Sequence, residues 1–272
     1  MHATRTLPLT AALVTAALLC AGCSSDPEWT TDKAGKASGS PTADPAGAVR
    51  DAVAATRATS AHTDQRIVID AGATGRYEID VTGGFDLAAD RGTLKVHMAG
   101  KPGQNEIDEV FADGKVHVSD LPQVDPGTWA TMPRAKTESH YTLRAPVNDP
   151  EYLLQQIAGM SRTSEVGRET VGGVRTTHYR GTLDNTALTR RMASEVRAKT
   201  DEGRKILGSD LPVFADAWID AEGRVTRTRT DMNLAGVRIT VTLNLTDHGT
   251  RVTAEAPEPA VPVTELSGVF LG

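Results

Sequence analysis

The sequence predicts an α+β domain built on one large antiparallel sheet of about ten strands, with three helices inserted between the strands. Long stretches of the chain alternate apolar and polar residues with a period of two, which is typical of strands with one buried face. Turns rich in Gly and Asp join these stretches, as in an antiparallel meander. The strands come in consecutive runs rather than alternating singly with helices, and this order favours α+β over α/β.

The first 22 residues are typical of a lipoprotein signal peptide. One positive charge, Arg5, precedes the apolar stretch 7–20, which is too short to span a bilayer as a helix. An Ala-Gly pair then stands directly before Cys23, and lipoprotein signal peptidase accepts small residues at these positions. One departure is Cys20, which occupies the place where such signals usually have Leu. An ordinary secretory signal with an incidental cysteine is the alternative interpretation.

We interpret Cys23 as the lipidation site, where an attached diacylglycerol anchors the mature protein to the extracytoplasmic face of the cell membrane. The two cysteines of the chain are Cys20 and Cys23, so the mature domain has no thiol left for a disulfide or a metal. Its stability must then come from an ordinary buried core. Because aromatic residues make up only 4% of the chain, this core is expected to be mainly aliphatic.

The net charge excludes one class of partner, and the composition indicates the domain boundaries. The formal net charge is −6, which argues against a nucleic-acid partner, since phosphate binding needs a basic surface. Residues 23–43 are rich in Ser, Thr, Asp, Lys, Gly and Pro and predict a flexible tether. The folded domain is expected over residues 44–256, and the Pro-rich residues 257–272 are expected to form an extended tail.

Three stretches predict helices. The first is expected from Asp44-Pro45, as N-cap and first helical residue, to about Ser60. The second starts at Asn148-Asp149-Pro150 and continues to about residue 159. The third covers residues 185–207, where the apolar stripe is thin and indicates a helix on the surface.

The remaining regular stretches predict strands. The strongest alternation is in Val237–Leu245, and the Asp-Gly of residues 113–114 and the Gly-Gly of residues 172–173 predict tight hairpin turns. Residues 120–148 are less regular and carry four prolines. The expected strands are Arg66–Ala71, Arg76–Leu87, Leu94–Met98, Glu106–Ala112, Lys115–Ser119, Thr163–Thr170, Val174–Leu183, Pro212–Ile219, Val225–Leu234, Val237–Leu245 and Arg251–Ala254.

Motifs that carry catalysis are missing from the sequence. There is no G-x-S-x-G elbow and no phosphate-binding Gly loop, and no two histidines have the i, i+4 spacing of a helical metal pair. Asp216, Asp220 and Glu222 cluster near one turn, but they lack the regular spacing of a calcium loop. We therefore expect no enzyme activity, no catalytic residue, no cofactor and no metal site.

Two segments resemble one family of lipoproteins. The segment Val171-Gly-Gly-Val-Arg-Thr-Thr-His-Tyr-Arg-Gly-Thr-Leu-Asp184 resembles the "V-x-G-x-x-T-x-x-Y-x-G-x-x-D" hairpin of the LppX/LprG lipoproteins of actinobacteria, which are themselves similar to the lipoprotein carrier LolA. Leu211-Pro-Val-Phe-Ala-Asp-Ala-Trp-Ile-Asp-Ala-Glu-Gly-Arg-Val225 is similar to that family's "L-P-V-x-V-W-I-D-x-x-G-R" segment. Both motifs are structural, a hairpin and a turn, and neither carries a ligand-binding signature.

The resemblance implies a curved half-barrel sheet with helices on its concave side and an apolar cavity between them. In the family, that cavity takes the acyl chains of a lipid or lipoglycan, so a lipid-binding or lipid-transport role in the cell envelope is implied. Two alternatives stay open: every inward residue is close-packed core, or the domain is a protein-interaction or sensory module. The sequence identifies no protein partner. The candidate cavity residues, chosen by strand polarity, are Ile79, Val81, Val96, Met98, Ile239 and Val241.

Overall fold

The computed structural model describes residues 44–98, 106–121, 124–137, 148–191, 194–207, 213–234 and 236–263. The predicted signal peptide, Cys23 and the predicted tether lie outside the described residues. Within the described ranges, no helix has both the length and the apolar character needed to cross a membrane.

One large sheet dominates the fold. Its twelve described strands are β1 (Ser60–Asp70), β2 (Arg76–Asp86), β3 (Arg91–Met98), β4 (Glu106–Ala112), β5 (Lys115–Val118), β6 (Trp129–Pro133), β7 (Ser161–Val171), β8 (Val174–Leu183), β9 (Val213–Ile219), β10 (Val225–Leu234), β11 (Val237–Thr246) and β12 (Ala260–Pro262). Their order is β12-β6-β5-β4-β3-β2-β1-β11-β10-β9-β8-β7, so the sheet is open, with β12 and β7 at its two edges. Every pair is antiparallel except β12 with β6. The predicted α+β class with a large antiparallel sheet is confirmed.

Pairing of β1 with β11 joins the first and last thirds of the chain. Ile67 lies opposite Val241 and Ile69 opposite Ile239 in this pair. The sheet is therefore continuous through a contact between residues about 170 positions apart in the chain. The remaining antiparallel neighbours follow one another along the chain, as expected for a meander.

The predicted hairpin turns are present. Asp113 and Gly114 have φ angles of 53° and 68°, and Gly172 and Gly173 have 57° and 84°. Positive φ at both central residues is the geometry of a two-residue hairpin whose twist matches its strands. These turns set the β4–β5 and β7–β8 registers.

The strand prediction at Arg251–Ala254 was wrong. Exposure does alternate along this segment, but no strand pairing involves it. Val252 lies near Gly84 of β2, and Ala254 clusters with Val110 and Ala112 of β4. The alternation therefore arises because the segment packs against the sheet, not because it adds a strand. Conversely, the irregular region and the predicted tail each contribute one unexpected strand, β6 and β12.

Four α-helices accompany the sheet in the described part of the chain: α1 (Pro45–Arg57), α2 (Pro150–Ile157), α3 (Asn185–Leu188) and α4 (Ser194–Leu207). The single helix expected over residues 185–207 is thus divided in two. At the end of α3, the Thr189 hydroxyl and the Thr189 backbone amide both donate to the Asn185 carbonyl, at 2.8 Å and 3.0 Å. Asp44 is the N-cap residue of α1, as predicted, and Asp149 is the N-cap residue of α2.

Both α1 and α2 pack on the same face of the sheet, which we call the inner face. Helix α1 packs against α2, β7, β9 and β10, and α2 also packs against β9 and α3. Helix α1 buries a narrow stripe of small residues, whereas α2 is buried nearly all round. One continuous cluster of buried apolar residues joins these helices to inner-face residues from β1 to β6 and from β8 to β11.

Candidate functional site

All six predicted cavity residues lie on the inner face. Their exposed fractions range from 0% to 7%, and they belong to the one continuous apolar cluster. The structure therefore brings together Ile79, Val81, Val96, Met98, Ile239 and Val241. That they line an acyl-chain cavity stays a prediction.

The register shows how these six residues meet. Ile79 lies opposite Met98, and Val81 lies opposite Val96, across the β2–β3 pair. Ile67 of β1 lies opposite both Ile79 and Val241, which extends the row to β11. Since neighbouring strands are about 4.8 Å apart, the four strands give an aliphatic surface roughly 15 Å across.

A buried carboxyl group interrupts this aliphatic surface on β4. Glu109 faces inward between Leu94 of β3 and Val118 of β5 and is only 1% exposed. The Asn148 side-chain amide donates to Glu109 Oε2 at 2.5 Å. Burial, aided by the negative charge of Asp149, raises the pKa of Glu109 to about 8 despite this hydrogen bond. The side chain is therefore mostly a neutral carboxylic acid at neutral pH.

Next to Glu109, a buried ion pair fixes the start of α2. Arg134 Nε donates to Asp149 Oδ2 and Nη2 donates to Asp149 Oδ1, both at 2.5 Å. The third nitrogen, Nη1, donates to Asp90 Oδ1 at 2.6 Å. The guanidinium lies about 5 Å from the ring centres of Phe85 and Phe111. Asp149 also accepts hydrogen bonds from the first backbone amides of α2. One carboxylate thus caps the helix and attaches it to the sheet.

A second ion cluster connects the helices to each other. Glu151 of α2 is 1% exposed and accepts hydrogen bonds from Arg57, at the end of α1, and from Arg191, beyond α3. Arg191 also contacts Asp90 at 3.3 Å. Both clusters therefore meet at Asp90, in the β2–β3 turn.

Sequence reasoning missed these buried charges. For Glu109 a signal was available, because the alternation Ile107-x-Glu109-x-Phe111 places its side chain on the apolar face of β4. Arg134 has no such signal, since it follows a short strand in a region without clear periodicity. Its partner Asp149 was noted only as part of the segment at which the second helix starts.

The other sequence candidates are not brought together. Asp216 contacts His178 and Arg180, whereas Asp220 bonds to Arg224. In the described ranges, no group of three or more His, Cys, Asp or Glu side chains could hold a metal ion. Cys23, the predicted lipidation site, lies outside these ranges.

Comparison with known proteins gives matches in fold alone. No family model matches the chain, and no curated protein matches it. Among solved structures, it is similar to LprF from Mycobacterium bovis, with 16% identity, 80% of this chain and 99% of that chain covered, and a TM-score of 0.45. It is also similar to the lipoprotein LppX from Mycobacterium tuberculosis, with 15% identity, 77% and 97% covered, and a TM-score of 0.44.

A more distant match is a LolA superfamily protein from Nitrosomonas europaea, with 10% identity, 79% and 96% covered, and a TM-score of 0.30. LppX is also a name of the lipoprotein group that the segments 171–184 and 211–225 resemble. At such low identity the matches concern the fold and name no ligand for this chain.

Proposed function

We propose that this protein is a membrane-anchored envelope lipoprotein that holds the acyl chain of a lipid between the inner face of the sheet and its helices. Such a protein binds or transfers its ligand, and the proposal includes no catalytic step. The observation that carries it is the width of the apolar inner face relative to the two helices that pack on it.

The dimensions support this proposal. Twelve strands spaced about 4.8 Å apart make a sheet roughly 50 Å wide, whereas one helix with its side chains is about 10 Å in diameter. Helix α1 packs near β7, β9 and β10, at one end of the strand order, whereas α2 contacts β9 and its start is attached to β4 through Asn148. The candidate residues of β2 and β3 lie in the middle of the strand order, between these two regions. An acyl chain on this surface would contribute roughly 0.8 kcal/mol for each buried CH₂ group.

The ligand part is tested by mass spectrometry on the purified protein. We expect a co-purifying lipid that solvent extraction releases. Val96→Trp and Val241→Trp should then reduce lipid occupancy with little loss of stability, because the indole occupies the space of the acyl chain. The control is Val53→Trp, since Val53 of α1 is buried in the helix-packed cluster and should overpack, costing roughly 1–3 kcal/mol.

Stability and occupancy are measured on the same samples. Parent protein without lipid, together with Val96→Trp and Val241→Trp as destabilised as Val53→Trp, would contradict the carrier function. That result would indicate a close-packed domain, and an anchored interaction module would then be the better explanation.

The anchoring part has its own matched pair of variants. Cys23→Ser should abolish acylation and leave the precursor uncleaved or the protein released. Cys20→Ser, three residues earlier, should be processed and anchored normally. Membrane fractionation and intact-mass measurement distinguish the two, and normal acylation of Cys23→Ser would rule out the proposed site.

A further inference from the structure

A groove of about 640 Å³ lies on the outer face of the sheet, across β8 to β11 and away from the proposed acyl site. Its volume falls within the range of small-molecule sites. Arg180, Arg229 and Arg238 contribute its positive charge, and Asp216 and Asp231 its negative charge. The groove is thus locally positive on a protein whose formal net charge is −6.

The charges in the groove are arranged in two levels. The aspartate side chains are only 9% and 18% exposed, whereas those of the three arginines are 43% to 62% exposed. The carboxylates therefore form the floor, and the guanidinium groups extend toward solvent. A ligand entering the groove meets the arginines first.

The floor holds each guanidinium in place. Arg180 Nε donates to Asp216 Oδ1 at 2.8 Å, and the same oxygen lies 2.7 Å from His178 Nε2. Arg229 Nη2 donates to Asp231 Oδ2 at 2.7 Å, and Arg238 Nε donates to Asp231 Oδ1 at 2.7 Å. Burial opposes ionisation of Asp231, but the hydrogen bonds from Arg238 and Arg229 outweigh it, and the pKa of Asp231 lies below its ordinary value.

These bonds leave donors for a ligand. Arg180 and Arg238 each bond to the floor through Nε, and the structure records no hydrogen bond from their Nη atoms to another described residue. A guanidinium has five N–H donors in a rigid fork that fits phosphate oxygens. A phosphoryl group directs its oxygens to different sides, so it can accept from guanidinium groups that come from three strands.

The groove also has an apolar side. Phe214 of β9 is 52% exposed, and Trp218 forms part of the lining four residues further along the strand. An exposed phenylalanine beside arginines suits a ligand with an apolar portion next to its charge.

We propose that this groove binds a phosphate ester, with its phosphoryl oxygens on Arg180, Arg229 and Arg238 and its organic portion against Phe214. The ester is either the headgroup of a phospholipid or a soluble phosphate ester, since both present the same chemistry. This site is independent of the acyl-chain function proposed above.

Calorimetric titration of the full acylated protein, in micelles of a neutral detergent, tests the site. The probes are glycerol 3-phosphate, phosphatidylglycerol mixed into the micelles, inorganic phosphate and acetate. Binding of both esters, or of either one alone, supports the proposal, and the two arms distinguish the soluble source from the lipid. If neither ester binds, or if acetate and inorganic phosphate bind as tightly as the esters, the proposal is overturned.

Two double variants show whether the groove is the site at which the ester binds. Arg180→Gln with Arg238→Gln should weaken ester binding at least tenfold, because each lost charged hydrogen bond costs about that factor. The control is Arg66→Gln with Arg76→Gln, which removes two equally exposed, ion-paired arginines from the outer face outside the groove and should change affinity less than twofold. Equal losses in the two double variants would overturn the proposal.

A third variant tests the apolar side of the groove. Phe214→Ser should weaken binding of phosphatidylglycerol or glycerol 3-phosphate severalfold without changing the response to inorganic phosphate. Thermal unfolding of each variant confirms that the fold is intact. Unchanged ester binding by Phe214→Ser would contradict the assigned orientation.

Discussion

Asn148 donates a hydrogen bond to Glu109, a carboxyl group buried in the aliphatic inner face of the sheet. Asn148 directly precedes the N-cap of α2, so this bond joins the helix start to β4. Burial, followed by the charge of Asp149, raises the pKa of Glu109 from its ordinary 4.5 to about 8. Glu109 is thus protonated in the folded protein over a pH range in which it ionises in the unfolded chain.

This difference predicts a stability that falls as pH rises. The unfolded chain releases the Glu109 proton near pH 4.5 and the folded protein only near pH 8, so folding is favoured below this window. Between pH 5 and 8, ionisation of Glu109 in the unfolded chain should lower the free energy of unfolding by about 1 kcal/mol per pH unit. Glu109→Gln should remove this dependence and be more stable than the parent at pH 8.

Urea unfolding at pH 5, 6.5 and 8 measures the effect. Asp108→Asn is the matched control, because Asp108 is the preceding residue, faces solvent and pairs with Lys95. It should shift stability by less than about 1 kcal/mol. An advantage of Glu109→Gln that is the same at all three pH values would show that ionisation is not the cause.

Arg134 and Asp149 form an ion pair in which both side chains are buried. Arg134→Met should lower the free energy of unfolding by about 3–5 kcal/mol, because it leaves the Asp149 carboxylate buried without its partner. Adding Asp149→Asn should recover much of this loss, since Asn still caps α2 and carries no charge.

The control for this prediction is Lys136→Met, two residues from Arg134. Lys136 pairs with Glu195 at 3.0 Å, and both side chains are about half exposed, so its loss should cost about 1 kcal/mol or less. Chemical denaturation measures the free energy of unfolding of the parent protein, the two single variants and the double variant. If the double variant is no more stable than Arg134→Met, the uncompensated charge is not what destabilises the protein.

Gly83 of β2 is required by a close approach of β3. A Cβ atom at Gly83 would lie 2.0 Å from the backbone oxygen of Thr93, so the two strands would have to separate. At Gly84 the nearest atom is a methyl group of Val252 at 3.2 Å, which can move. Gly83→Ala should cost roughly 1–3 kcal/mol and Gly84→Ala much less, as thermal unfolding would show. Equal costs would argue against a tight β2–β3 contact.

Long alternating strands were predicted well because their own residues carry the signal. Strands β2 and β11 begin at the expected residues and end within one residue of the expected ones. Strands β6 and β12 were missed because they have only five and three residues. Each is defined by its pairing with another strand, β12 with β6 and β6 with β5. A pattern confined to one segment cannot show such pairing.

The same distinction applies to the candidate site. The inward orientation of Val96 or Ile239 follows from the local alternation, and the structure places both on the inner face. The buried ion pair joins Arg134 to Asp149 across fifteen positions of irregular chain, and no period predicts it. A local pattern shows on which face of a strand a residue lies. A contact between two loops can be known only once the fold has brought them together.

The two faces of β11 give the sharpest test of the architecture. Ile239 lies on the inner face between Ile69 and Met232 and is buried, so Ile239→Asp should bury an unpaired charge and cost about 3–5 kcal/mol. Thr242, three residues later, lies on the outer face between Arg66 and Arg229, and Thr242→Asp should change stability by about 0.5 kcal/mol or less. Chemical denaturation of both variants measures the difference. Similar losses would mean that β11 does not separate an apolar interior from a solvated face.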